Sequence, residues 1–349
     1  MLTRSSSIRF GLVLLAVILA ILPLPEALVE GWYSQGFYLR LQRLVTPVTN
    51  LVPLALFDLA IGVAVVAIAW RGFRSVGRHG FGRSARGGLR GAVVGAAAVY
   101  LVFLLMWGFN YQRVPLEATL DYDEARITRD SARAFAAEAV HRANAAFVPA
   151  RDASFDEGML AEAFSRTQRA LGAPRSAAAG RPKASLLGFY FRQAAIDGMT
   201  NPFFLEIILN PDLLAMERPM VLAHEWAHLA GYAHETEANF VAWLTCLQGD
   251  AVARYSAWLS AYEHALSALP REDRRALPPL DEGPRDDLRA MTARYHRSSP
   301  VVRLAARDVY DSYLRANRVA EGIASYGAVV RLMLGSQLED DRTPRLRSR

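Results

Sequence analysis

The chain has almost no cysteine and almost no lysine. Its single cysteine, Cys246 among 349 residues, excludes an intrachain disulfide framework. Any part of it facing an oxidising compartment has to be stable through packing alone. Lys183 is the one lysine; arginine supplies the rest of the 40 basic residues, which outnumber 34 acidic ones for a formal net charge of +6. This arginine bias reads as genome composition rather than as a binding code. No helix-turn-helix, zinc-finger or stacking-aromatic pattern accompanies the arginines, so nucleic acid is not an expected partner. Apolar residues are abundant instead. They make up 52% of the chain, with a mean hydropathy of +0.11, which points to membrane segments.

Three apolar runs lie within residues 1–111. Residues 51–70 carry one charge, Asp58, and residues 91–111 carry none. Both reach the roughly 20 residues that a membrane-spanning helix needs. Residues 10–25 form a shorter run that ends in proline. A cleaved signal peptide is one reading of it; no small-x-small cleavage site follows, so a retained anchor is expected. Residues 71–90 hold six arginines and no acid. Such loops stay in the cytoplasm, which predicts that everything after Tyr111 lies outside, at the inner membrane of a bacterium. Asp58 then falls near the outer end of the second span, where a hydrated interfacial carboxylate is expected.

From residue 112 the chain turns soluble and mostly helical. Residues 129–147 and 155–171 have helical spacing, and residues 172–184 read as a loop. Residues 199–211, bounded by Asn-Pro at both ends, suggest a strand. A helix is predicted to start near Pro219 and to stop at Gly231, followed by another from Glu235. A last long helix is expected over 313–335, then a disordered tail over 336–349. The expected fold is mainly α: membrane helices in 1–111, then an α-rich, zincin-like domain over 112–335 with a small β element.

The segment HEWAHLAGYAHETEANF, residues 224–240, carries the chemistry. Residues four apart share one helix face, so His224 and His228 can both address one metal ion. Glu225 is about 100° round the helix and can act as general base on a water there, which is the logic of H-E-x-x-H zinc hydrolases. Three protein ligands are usual at catalytic zinc, and three residues compete for the third place. His234 completes the metzincin spacing H-E-x-x-H-x-x-G-x-x-H. Metzincins also need a methionine turn, however, and Met291 and Met333 both lie in helical contexts. Glu235 opens the next helix, with Asn239 one turn on to support a ligand histidine, as in thermolysin-like gluzincins and the CAAX-prenyl-peptidase type. Glu237 is the third candidate, pointing about 200° away from Glu235 on a helix. Glu235 is preferred.

The whole chain resembles an uncharacterised bacterial membrane family, a domain of unknown function with three helices ahead of an H-E-x-x-H domain. The resemblance rests on TNLVPLALFD, WGFNYQRVPLE, GMTNPFFLE, HEWAHLAGYAHETEANF and YLRANRVAEGIASYG. It implies a basic residue at the position of His234 and recurrence of both glutamates, which favours Glu235 or Glu237. It also implies zinc peptidase chemistry, without a substrate.

Other residues are weaker candidates. Glu206, in the expected strand, could border a substrate cleft or be a solvated strand residue. Tyr326, with Ser325 and Asn317, could stabilise an oxyanion or pack in the core; His234 could take the oxyanion role if it is not a ligand. Cys246 is expected in the core, and His141, His264 and His296 on ordinary helix surface. The functional expectation is a membrane-anchored zinc metallopeptidase acting on a peptide or protein, with the lipid bilayer as its other partner. The alternative is a membrane sensor or scaffold whose zinc is structural, which a fourth protein ligand would mark.

Overall fold

The computed structural model describes residues 4–79, 81–317, 319 and 328–348. Helix α1 (Arg4–Ile21) ends just before Pro23 and Pro25. The chain then bends by 112° into a second helical run: α2 (Glu26–Leu28), a π-helical stretch (Val29–Tyr38) and α3 (Leu39–Thr49). Sequence periodicity did not reveal this run, because Gln42, Thr46 and Thr49 share its buried face with Leu39 and interrupt the apolar stripe. Polar side chains face the protein. Tyr38 Oη donates to the Leu229 carbonyl (2.8 Å), Gln42 Nε2 to that of Ala178 (2.8 Å) and Thr46 Oγ1 to that of Leu205 (2.8 Å). Leu44 and Val48 face outward.

Helices α4 (Leu56–His79) and α5 (Phe81–Met106) form an apolar hairpin, and each is long and apolar enough to cross a membrane. A third span is available only if α1 and its bent continuation count as one. The near end of the hairpin is tied to the rest of the fold. Asp58 accepts from Leu186 N (2.7 Å) and Ser185 Oγ (3.0 Å), so it is bonded rather than merely hydrated. The arginine-rich segment 71–90 lies at the far end, where Ser75 Oγ donates to Ser84 Oγ.

After α5 come a 3-10 turn (Gly108–Gln112) and the short α6 (Leu116–Thr119). Helix α7 (Arg129–Arg151) starts in a capping box of Thr128 and Ser131, and α8 (Glu157–Ala170) is capped by Asp156. The sheet is built from β1 (Pro182–Lys183), β2 (Gly198–Asn201) and β3 (Glu206–Leu209), with α9 (Gly188–Ala194) between the first two. Its order is β1-β3-β2, β1 parallel and β2 antiparallel to β3, with Thr200 opposite Ile207. The single strand expected over 199–211 is thus a hairpin. Asn201 Oδ1 accepts from Phe203 N and Phe204 N, and Leu205 adopts φ +49°, which turns the chain.

Helix α10 (Arg218–Leu229) and α11 (Glu235–Leu247) agree with expectation, with Gly231 at φ +86° between them. The remaining helices are α12 (Ala251–Ala268), α13 (Arg271–Arg275), α14 (Glu282–His296), α15 (Pro300–Ala316) and α16 (Val329–Gly335). The long helix expected over 313–335 therefore stops early: α15 ends at its C-cap, Asn317, whose Nδ2 donates to the Tyr313 carbonyl. Ser325 and Tyr326 lie outside the described residues.

One core cluster joins Tyr33, Tyr38 and Trp107 to Trp226, Phe240, Trp243 and Met333. The expected division at residue 111 is therefore not a packing boundary. The tail also departs from expectation. Ser336 bridges to Tyr122 and Leu346 to Leu120, and Asp121 N donates to the Arg345 carbonyl. Its many charges suggested disorder, but backbone pairing to 120–122 holds it.

Candidate metal centre

Helix α10 forms where the sequence predicts it. Pro219 suits the first turn, and the apolar residues Leu222, Ala223, Trp226 and Leu229 are buried. Gly231 then turns the chain. Its φ of +86° strains any other residue, and a Cβ there would lie 2.8 Å from Asn110 Oδ1. The turn delivers the start of α11 to the exposed face of the His224 and His228 pair.

His224, His228 and Glu235 converge, each with one donor atom within 4.8 Å of the others. Among the described residues they are the group of histidine, cysteine and carboxylate side chains able to hold a metal ion. The two Nε2 atoms are 3.1 Å apart. Glu235 Oε2 lies 3.2 Å from His224 Nε2 without a well-aligned hydrogen bond, and Oε1 lies 3.6 Å from His228 Nε2. The other ring nitrogens are committed elsewhere. His228 Nδ1 lies 2.8 Å from the Tyr232 carbonyl, which can only accept, so Nδ1 carries a hydrogen and Nε2 is the atom that has the lone pair in the neutral ring, where a proton and a metal ion compete for it. His224 Nδ1 lies 3.1 Å from Asn239 Oδ1, the support that the Glu235–Asn239 spacing predicts. Two imidazole lone pairs and a carboxylate thus meet at one point, an arrangement that a cation satisfies.

The electrostatics agree. Burial opposes charge on His228, but the adjacent Glu235 carboxylate outweighs it and raises the pKa to about 9. Burial likewise opposes charge on Glu235, yet the adjacent His224 and His228 imidazoles hold it well below the usual carboxylate range. Burial pushes Glu225 above that range.

Glu225 points away from the two histidines' shared face, toward the sheet. The Thr200 hydroxyl lies 2.8 Å from both its Oε2 and its backbone carbonyl. Gly198 leaves room for the carboxylate: a Cβ there would lie 2.6 Å from Oε1. Both residues belong to β2, which has a strand partner on one side only among the described residues.

Several expected residues are placed elsewhere. Glu237 turns from the cluster, and its Oε1 accepts from Leu116 N at 2.7 Å. His234 is the N-cap residue of α11, with its ring edge-on to Tyr111. Met291 and Met333 sit inside α14 and α16, so neither forms a methionine turn. Glu206 is fully buried on the central strand, where its carboxylate accepts from Leu56 N (3.1 Å) and Phe57 N (3.0 Å). It caps α4 and does not face a substrate. Cys246 is buried, as expected.

Two residues near the cluster escaped the sequence, and a third was read as ordinary helix surface. Tyr310, on α15, donates its hydroxyl to Glu235 Oε1. Thr200 holds Glu225. His264 has its pKa lowered to about 4, first by burial and then by the nearby charge of His224. None carries a local signal, because each reaches the site through tertiary packing.

No curated protein and no solved structure matches the chain. A family model described as Protein of unknown function (DUF3810) matches residues 33–334, from the π-helical stretch into α16, and the chain belongs to that family.

Proposed function

We propose that this protein is a membrane-anchored zinc metallopeptidase of zincin type, with its site outside the cytoplasm. The observation that carries the reading is the convergence of His224 Nε2, His228 Nε2 and the Glu235 carboxylate while both Nδ1 atoms are held from behind. Two imidazoles and one carboxylate are a usual donor set for catalytic zinc, whereas structural zinc commonly takes four protein ligands. Among the described residues no fourth such side chain joins the group, and His234 is turned to Tyr111. This favours a catalytic site over a structural zinc in a sensor or scaffold. Zinc held there would polarise a substrate carbonyl and lower the pKa of a water.

The chain's own residues supply the rest. Glu225 takes a proton and passes it on, and burial raises its pKa above the ordinary carboxylate range. Thr200 and the bare Cα of Gly198 fix where the carboxylate sits. The free edge of β2 offers backbone groups to an extended peptide, the role first assigned to the strand of Glu206. Asn239 orients His224, and Tyr310 orients Glu235. The helical domain joins the end of the α4–α5 hairpin opposite the arginines of 71–90. The preference of arginine-rich loops for the cytoplasm then puts the domain outside.

The test is metal content and hydrolysis together. The purified protein is expected to hold about one zinc per chain, and His224→Ala to hold none. Glu225→Gln is expected to keep the zinc and lose cleavage of a peptide library. A wild-type protein that binds zinc and cleaves nothing would favour the scaffold.

A further inference from the structure

The helical domain carries a row of exposed apolar side chains at the root of the membrane hairpin. Leu186 is 86% exposed, although its backbone N–H is bonded to Asp58 in the first turn of α4. Phe189, one residue into α9, is exposed beside it. The backbone around Leu186 is fixed to the hairpin entrance: Ala55 N donates to the Ala184 carbonyl, and Ala184 N to that of Pro53. Helix α15 adds Val301, 77% exposed, and Leu304, and its start is bonded to α9 through Ser299 N and the Gln193 carbonyl. Its outward face becomes mixed one turn beyond Leu304, where Arg307 and Asp308 are exposed beside Val309. On the approach to α4, helix α3 shows Leu44 and Val48 outward beside Arg40 and Arg43, and Leu51 follows at 81% exposure.

Water gives no reason for such a face, and soluble surfaces rarely carry contiguous apolar patches of this kind. An outward face that mixes Leu44 and Val48 with Arg40 and Arg43 suits the interface between headgroups and hydrocarbon, where an arginine stem lies on apolar surface and its head stays in water. We infer that α3, α9 and the first two turns of α15 form a foot that sinks into the outer part of the bilayer, in addition to the spanning helices. The partner is lipid, because Leu186 is held by hydrogen bonds at the level where α4 enters its apolar span. The inference rests on the reading of α4 and α5 as membrane spans. The foot seats the metal centre close to the bilayer surface, since α15 carries both Leu304 on its outer side and Tyr310 against Glu235.

Cys246 is fully buried, so single-cysteine labelling needs little background correction. Leu186→Cys, Phe189→Cys and Leu51→Cys would carry a nitroxide in the full-length protein, in bilayer discs of phosphatidylethanolamine and phosphatidylglycerol. Val65→Cys, mid-hairpin, is the lipid control. Val148→Cys is the water control: it lies beside Phe147, which touches Gly283 at the start of α14, the end away from α9. The foot labels are expected to collide readily with oxygen and to be shielded from a water-soluble nickel chelate, as at Val65 and opposite to Val148. Foot labels as nickel-accessible as Val148, with Val65 still shielded, would overturn the foot and leave the spans standing. Nickel access at Val65 would remove the spans, and the foot with them. Shielding from both reagents would mean protein cover by a second copy, which also overturns it.

Discussion

The indole Nε1 of Trp107 donates to the backbone carbonyl of His228 at 2.9 Å. One residue closes the membrane hairpin and the other is a candidate metal ligand, 121 positions away. Tyr38 Oη does the same for the Leu229 carbonyl, and Arg113 Nη1 for that of Gly231 (3.1 Å). The last carbonyls of a helix lack intrahelical partners. At the end of α10 they are satisfied by side chains from the hairpin and the preceding helical run, which ties the helix of His224 and His228 to the apolar hairpin.

Trp107→Phe should therefore destabilise the fold by about 1–2 kcal/mol, since a buried hydrogen bond is lost. The loss is held down because Gly231 N also donates to the His228 carbonyl. The check is a lower apparent Tm in detergent, together with faster loss of zinc to a chelator. An unchanged zinc off-rate would separate the ligand from its cap.

Glu235→Gln and Glu237→Gln should part cleanly. Glu235 faces two imidazoles, and its amide analogue should lower zinc affinity by at least the 10–100-fold seen when a supporting residue is lost. Glu237 bonds Leu116 N, so Glu237→Gln should keep zinc stoichiometry and lose stability. Zinc retained by the first variant and lost by the second would reverse the ligand assignment.

How much could be read beforehand depended on the range of the signal. The helix of His224 and His228, its stop at Gly231 and the start of the next helix at Glu235 are local patterns, and these elements stand as expected. Thr200, Trp107 and Tyr310 reach their partners across 25, 121 and 75 positions, where spacing says nothing. Glu206 was misread because its strand is central in the sheet, and both its oxygens go to the backbone of α4. Helix α3 escaped because Gln42, Thr46 and Thr49 share its buried face with Leu39 and interrupt the apolar stripe that marks a helix. The tail was judged by charge, whereas backbone pairing holds it.

Gly198→Ala isolates the positioning of the base. Its methyl group would sit 2.6 Å from Glu225 Oε1, closer than real contacts allow. The carboxylate must shift, and catalytic groups tolerate displacements of about 1 Å poorly, with losses near 100-fold. The expected outcome is a large drop in kcat with zinc content and Tm close to wild type. Equal losses of zinc and activity would instead assign Gly198 to the metal helix's packing.

His264 sets an acid limit on stability. Its pKa in the folded protein is lowered to about 4, mainly by burial and further by His224, whereas an unfolded histidine titrates near 6.5. Between those values the unfolded chain binds the proton and the folded one does not. Stability is therefore unaffected above the unfolded pKa and falls as the pH drops through the window. The full loss is on the order of 3 kcal/mol by pH 4. Carboxylates contribute their own acid dependence, so the readout is the difference between wild type and His264→Gln. The variant should gain relative stability steadily from about pH 6.5 down to about 4. Parallel curves across that window would mean that His264 already accepts its proton in the folded protein.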